Sequence, residues 1–370
     1  MIFSIILPKL QIPVIQRRKL EVEFSLQPAE SLLLFVSEKK IKGFPEYVKK
    51  KNLKEIQSDG EVTVEKEREN ALPVDFVDME LGEKTFRNIH VGEAAQLVYK
   101  QYGFADGNPW NHSVQYKTAI LDRDSFPPNS GFEVSYTFYI DQKFDWSGVK
   151  LVAERPELWT VQINGLKVNP LPGQWWLDHS FGVFQIDRQL KTGKNIVSLS
   201  CRPMKIHAET EPVYILGEFS VVPTEKGWSI RPPLASVKKG SWKTQGLPFY
   251  SWDMIYRKNF NIGSMSTYYE VGLDDWQGTV AEVYANGKHA GTIILPTDRI
   301  PVTDLIREGD NQIEVRITGS LKSLLGPHHK NPQLGLVSPW HWRNIREYSS
   351  GEHYQLPDYG LTGDIRLFSE

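Results

Sequence analysis

Short runs in which apolar and polar residues alternate dominate this chain, and helical spacing is scarce. "FEVSYTFYI" (Phe132 to Ile140) puts Val134, Tyr136, Phe138 and Ile140 on one face. "NQIEVRI" (Asn311 to Ile317) puts Ile313, Val315 and Ile317 on one face and Gln312, Glu314 and Arg316 on the other. A period of two is what a half-buried antiparallel strand requires, because successive side chains point to opposite faces of a sheet. Many such runs, punctuated by Gly, Pro, Asn and Asp, predict an all-β chain built of β-sandwiches.

The pattern also repeats. One copy reads "WTVQINGLKV", "FQIDRQLKTGKNIVSLSC" and "YILGEFSVV"; the other reads "VAEVYANGKHAG", "IPVTDLIREGDNQIEVRI" and "YGLTGDIRLF". In each, an Asn-Gly pair (Asn164-Gly165, Asn286-Gly287) predicts a tight hairpin, since both residues tolerate positive φ. A single helical turn follows, with Leu190 or Ile306 pointing inward, and ends at Gly193 or Gly309. The next strand has the inward set Val197, Leu199 and Cys201, or Ile313, Val315 and Ile317. Cys201, the one cysteine of the chain, therefore reads as a small core hydrophobe. An intramolecular disulfide and a cysteine metal cluster are both excluded.

Differences in spacing locate the insertions. The two Asn-Gly pairs are six positions further apart than Gly193 and Gly309, so the first copy carries extra residues within "NPLPGQWWLDHSFG". Gly217 and Gly363 are thirty positions further apart than Gly193 and Gly309. The second copy therefore makes an excursion before its last strand, and "LLGPHHKNPQLGLVSPWHWRN" (Leu324 to Asn344) lies in it. The expected organisation is an N-terminal segment at 1–91, one sandwich at 92–222 and a second at 223–370.

The remaining bulk properties narrow the partners. With a formal net charge of -2 over 370 residues, no basic footprint for nucleic acid or an anionic membrane is expected. No apolar run is long enough to span a bilayer, and the opening "MIFSIILPKLQIPVIQRR" carries its charge after the apolar stretch, unlike a leader peptide. A soluble chain is the expectation.

Candidate chemistry gathers in the loops, where function is usually placed. A sugar ring offers an apolar face to an indole or phenol ring and a rim of hydroxyls to Asp, Asn and His. The first copy supplies Trp175, Trp176, Asp178 and His179; the second supplies His328, His329, Asn331, Trp340, His341 and Trp342. Tyr250, Trp252 and Asp253 in "PFYSWDM" are candidates to join the second group. The bland alternative is that these aromatics cover the sandwich ends or glue the copies together. Adjacent histidines on an extended backbone diverge, which argues against chelation by His328 with His329. No cofactor is called for, and a structural calcium on Asp side chains and carbonyls is the one ion left open, without an assignable position. No pair of carboxylates stands out as an acid/base couple for glycoside hydrolysis. There is also no phosphate-cradling glycine loop and no Gly-x-Ser-x-Gly elbow.

The landmarks Trp276-Gln-Gly278, Asn286-Gly287, Ala290-Gly291, Asp304 and Gly309 to Asn311, in that order, resemble the galactose-binding-like jelly-roll modules of glycoside hydrolases. "QGLPFYSWDMIY", "SLKSLLGPHH", "LVAERPELWTVQINGLKV" and "YILGEFSV" extend the resemblance to the C-terminal modules of α-L-rhamnosidase-like enzymes of family 106. Family 2 sugar-binding domains are more distant relatives. The likeness covers roughly residues 92–370. It implies two tandem jelly-roll sandwiches and a catalytic (β/α)₈ barrel upstream, of which "LEVEFSLQPAESLLLFVSEKK" is similar to the tail. It implies action on plant or microbial polysaccharide in a bacterial periplasm or outside the cell. The family's catalytic carboxylates have no matching positions here. The resulting expectation is a non-catalytic carbohydrate-binding or accessory region partnered by a glycosidase domain. A structural adaptor, or a glycosidase in its own right, stands as the alternative.

Overall fold

The computed structural model describes residues 53–295, 299–329 and 349–370, with a short pairing between residues 15–16 and 19–20. Two strands come first, β1 (Lys54–Ile56) and β2 (Asp59–Lys66). Then β3 (Asn70–Val74), β4 (Phe76–Leu81) and β5 (Lys84–His90) lead into α1 (Val91–Gln101). The chain continues as β6 (Phe132–Ile140), β7 (Lys150–Glu154), β8 (Thr160–Ile163) and β9 (Leu166–Val168). Next come β10 (Asp178–Gln185), β11 (Gly193–Cys201), β12 (Val213–Gly217), β13 (Ser220–Pro223) and β14 (Trp228–Arg231). The later part holds β15 (Asp253–Ile262), β16 (Tyr269–Leu273), β17 (Val280–Ala285), β18 (Lys288–Ile293), β19 (Arg299–Pro301) and β20 (Gly309–Thr318). It ends with α2 (Lys322–Leu325) and β21 (Ile365–Ser369).

These strands form two antiparallel sandwiches, as an all-β reading requires. In the first, the order β9-β8-β11-β6 faces β10-β7-β12-β3, and β4 pairs with β6 on its far side. In the second, β18-β17-β20-β15-β2 faces β19-β16-β21-β1. The two orders match strand for strand. The opening strands pair alike: β3 with β12 and β4 with β6 in the first, β1 with β21 and β2 with β15 in the second. Each sandwich encloses its own cluster of buried residues drawn from both sheets.

The expected boundaries need correction. Residues 54–66 are not a segment apart: β1 pairs with β21 and β2 with β15, so they open the second sandwich. Residues 70–90 likewise belong to the first. The first sandwich also extends past 222, because β14 pairs with β13 and, in parallel, with β6. One sandwich is thus inserted between the second and third strands of the other. Strand alternation shows which face is buried but not which distant strand is the partner, so this nesting left no periodic trace.

The shared landmarks have a physical cause. Asn164 and Asn286 stand at φ 51° and 50°, each followed by a glycine at positive φ, as a type I′ hairpin needs. Asn164 Nδ2 donates to Asn195 Oδ1 and Gln189 O, and its Oδ1 accepts from Ile196 N. Asn286 does the same with Asn311 Oδ1, Leu305 O and Gln312 N. The helical turns end with Leu190 and Ile306 buried, and Asn195 and Asn311 are buried too. A buried amide persists only when its partners are supplied, so the asparagine pairs recur together.

The sandwiches meet through Trp252, which packs against both cores while the Arg68 guanidinium lies 4.4 Å from its ring centroid. Beside it, Gly246 at φ 79° brings its backbone so close to Ser220 that an added Cβ would stand 2.9 Å from that side chain. Only glycine meets both demands there.

Candidate functional site

A cavity of about 380 Å³ lies at one end of the first sandwich. Its floor is Asp75, His90 and His329. Asp75 occupies the step between β3 and β4, where the chain crosses from one sheet to the other. His90 ends β5 and caps α1, its Nδ1 accepting from Gly92 N at 3.1 Å. His329 arrives from the excursion of the second copy, after α2. Lys322 Nζ fastens the base of that excursion by donating to Pro327 O and Gln355 O.

His329 Nε2 lies 2.6 Å from Asp75 Oδ2, and His90 Nε2 lies 3.8 Å from the same oxygen. Burial would raise the Asp75 carboxyl, but the His329 hydrogen bond and the surrounding imidazoles outweigh it and hold the group at about 2. Phe76 presents its ring edge-on to both His90 and His329. Glu154, Glu209 and Glu211 line the cavity higher up, with Phe181 and Tyr214 forming an aromatic wall. Asn108 Nδ2 donates to Glu209 Oε1 at 2.6 Å.

The structure brings some expected residues to this cleft and sends others elsewhere. Trp176 packs on Tyr214 and Phe181, with ring centroids at 5.0 and 6.4 Å, and so backs the aromatic wall. Trp175 is 50% exposed and leans on His179. Asp178 accepts from Ser180 N and Oγ on the same turn. Between them Leu177 sits at φ 60°, a strained place for leucine and one often found in binding loops. The His328 and His329 rings stand perpendicular, at 88°, with centroids 6.3 Å apart. His328 is buried against Tyr354 and Phe249, with Nε2 on Ser323 O. It also lines the cavity, and burial pushes its imidazole down to about 4.

Tyr250 and Trp252, expected to join the sugar contacts, do not line this cavity. Tyr250 is 1% exposed, donates to Asp253 O and accepts from Glu67 N, and Trp252 is held at the junction. Both serve the seam between sandwiches because large aromatics fill wherever two cores meet. Asn331, Trp340, His341 and Trp342 lie outside the described residues.

Sequence reasoning missed Asp75, His90, Glu154, Glu209, Glu211 and Tyr214. One signal was available: Asp75 is a lone charge inside the apolar run "ALPVDFV", which is buried throughout. A charge in such a run needs a partner.

No protein-family model matches the chain. It is 25% identical over 151 residues, 34% of its own length, to a protein of Formosa agariphila named "Putative beta-glucuronidase". The match spans 13% of that relative. Among solved structures, the rhamnosidase from Novosphingobium sp. PP1Y superposes with TM-score 0.28 and 17% identity, covering 66% of this chain and 22% of that one. The α-L-rhamnosidase of Streptomyces avermitilis gives 0.27 and 12%, covering 83% and 27%. The β-glucuronidase of Lactobacillus rhamnosus gives 0.24 and 12%, covering 70% and 43%. The names fall on rhamnosidases and β-glucuronidases alike and single out neither, so family 106 is not distinguished. At these values no residue role is carried over.

Proposed function

We propose that this chain is a non-catalytic carbohydrate-binding region associated with a glycoside hydrolase acting on plant or microbial polysaccharide. The observation that carries the reading is the cleft: an aromatic wall of Phe181 and Tyr214 backed by Trp176, facing carboxylates at Glu154, Glu209 and Glu211. Apolar rings opposite oriented oxygens are what a sugar face and its hydroxyl rim require. The glycosidase names among the similar proteins agree with it.

Affinity electrophoresis through polysaccharide-containing gels tests it. The wild-type chain is expected to be retarded by at least one glycan, with the affinity lowered about tenfold or more in Phe181→Ala, the worth of one aromatic contact. No retardation by any glycan would favour a second reading, a structural adaptor, for which the buried seam of Tyr250 and Trp252 is the motive. Release of reducing sugar, abolished in Glu211→Gln, would instead establish an enzyme.

A further inference from the structure

We propose that Asp75, His90 and His329 bind a divalent transition ion of the zinc class. One ligand atom each of Asp75, His90 and His329 lies within 4.8 Å of the others, and the three residues come from three separate segments and both copies of the repeat. Two imidazoles and one carboxylate form a borderline donor set that suits zinc, cobalt or iron(II) and does not suit calcium or magnesium, which take oxygen. Three protein ligands with a cavity beside them leave a fourth position turned toward the cleft. The inference stands on these three side chains and does not rest on the carbohydrate reading.

Two features of the cluster have to yield. Bonds of about 2.0–2.1 Å place tetrahedral donors about 3.3 Å apart. The present separations of 2.6 and 3.8 Å from Asp75 Oδ2 must therefore change by less than about 1 Å. The second is a matter of protons. His90 Nδ1 accepts from Gly92 N, and His329 Nε2 donates to Asp75, so both rings carry their proton on Nε2. Ligation moves each proton to Nδ1, leaves the Nε2 lone pairs for the ion, and gives up the cap on α1. A helix cap is worth far less than a metal–imidazole bond, so the ion prevails.

Chelator-stripped protein titrated with zinc chloride in a calorimeter, with cobalt(II) absorption as a second readout, tests the site. One ion per chain is expected. His329→Gln and His90→Asn are each expected to lower zinc affinity about 100-fold or more. Asparagine keeps the side-chain cap on α1 that His90 provides. Unchanged melting of His90→Asn in chelator, together with lost zinc binding, therefore reports a missing ligand rather than a damaged fold. Undiminished zinc binding by either variant, or no binding by the folded wild-type chain, overturns the assignment.

Discussion

The two sandwiches share a topology and a pair of asparagine clasps, yet they solve one core position differently. Strand pairing aligns Tyr136 of β6 with Lys258 of β15, since Tyr136 lies opposite Val197 and Lys258 opposite Ile313. Tyr136 buries its ring and donates its hydroxyl to Glu211 O at 2.6 Å, within the segment that lines the cleft. Lys258 is almost as buried and instead reaches Asp364 Oδ2 at 2.7 Å and Ile365 O. A duplicated scaffold keeps what closes its hairpins and varies how a long side chain finds a polar end. In the first copy that freedom braces a cleft; in the second it forms an ion pair under the last strand.

The comparison is most exposed at that ion pair. Asp364→Ala should destabilise the second sandwich by about 3 kcal/mol, because an uncompensated buried ammonium remains, whereas Lys258→Met should fall within about 1 kcal/mol of wild type. Urea unfolding of both variants checks this, and a mild Asp364→Ala would show that the lysine finds water. Next in size, Asn164→Ala and Asn286→Ala should each cost about 3 kcal/mol, three net hydrogen bonds at about 1 kcal/mol apiece. The values should agree if the clasps are equivalent, and unequal losses by calorimetry would break the parallel.

Mild acid should act through the excursion. The His328 pKa is depressed in the folded state to about 4, so the unfolded chain binds the extra proton below about pH 6.5. Stability from this group is therefore complete above that pH and declines toward pH 4. Lowering the pH from 7 to 5 should cost about 2 kcal/mol in chelator-treated wild type and much less in His328→Gln, read by thermal melts across pH. Smallest of all, Lys66→Ala removes a seam ion pair with the exposed Glu218 and should cost less than about 1 kcal/mol, fading further in high salt.

Sequence pattern made the strands, the repeat and the place of the excursion readable, because each is written in local alternation and turn chemistry. "FEVSYTFYI" alternates in burial along its length, with Tyr139 the exposed partner of Phe138 and Ile140. Trp176 was readable as a site candidate because it sits in an insertion. Asp75 and His329 were not paired by any local rule: they are 254 positions apart, and only the folded register brings them to 2.6 Å. Tyr250 and Trp252 carry the same ring chemistry as a binding wall, and only burial separates the roles. The nesting escaped for a related reason, since β1 and β2 look alike whichever sandwich they complete.

That nesting has a consequence during synthesis. A ribosome releases β1 and β2, then an entire autonomous sandwich, and only afterwards the strands those two must join. Glu55 meets Arg366 across 311 positions, and Val62 and Val64, which end against the second core, wait unpaired until β15 emerges. Such a chain gains from a chaperone that shelters β1 and β2, and removal of β21 should leave β1 without its partner while the inner sandwich is already complete.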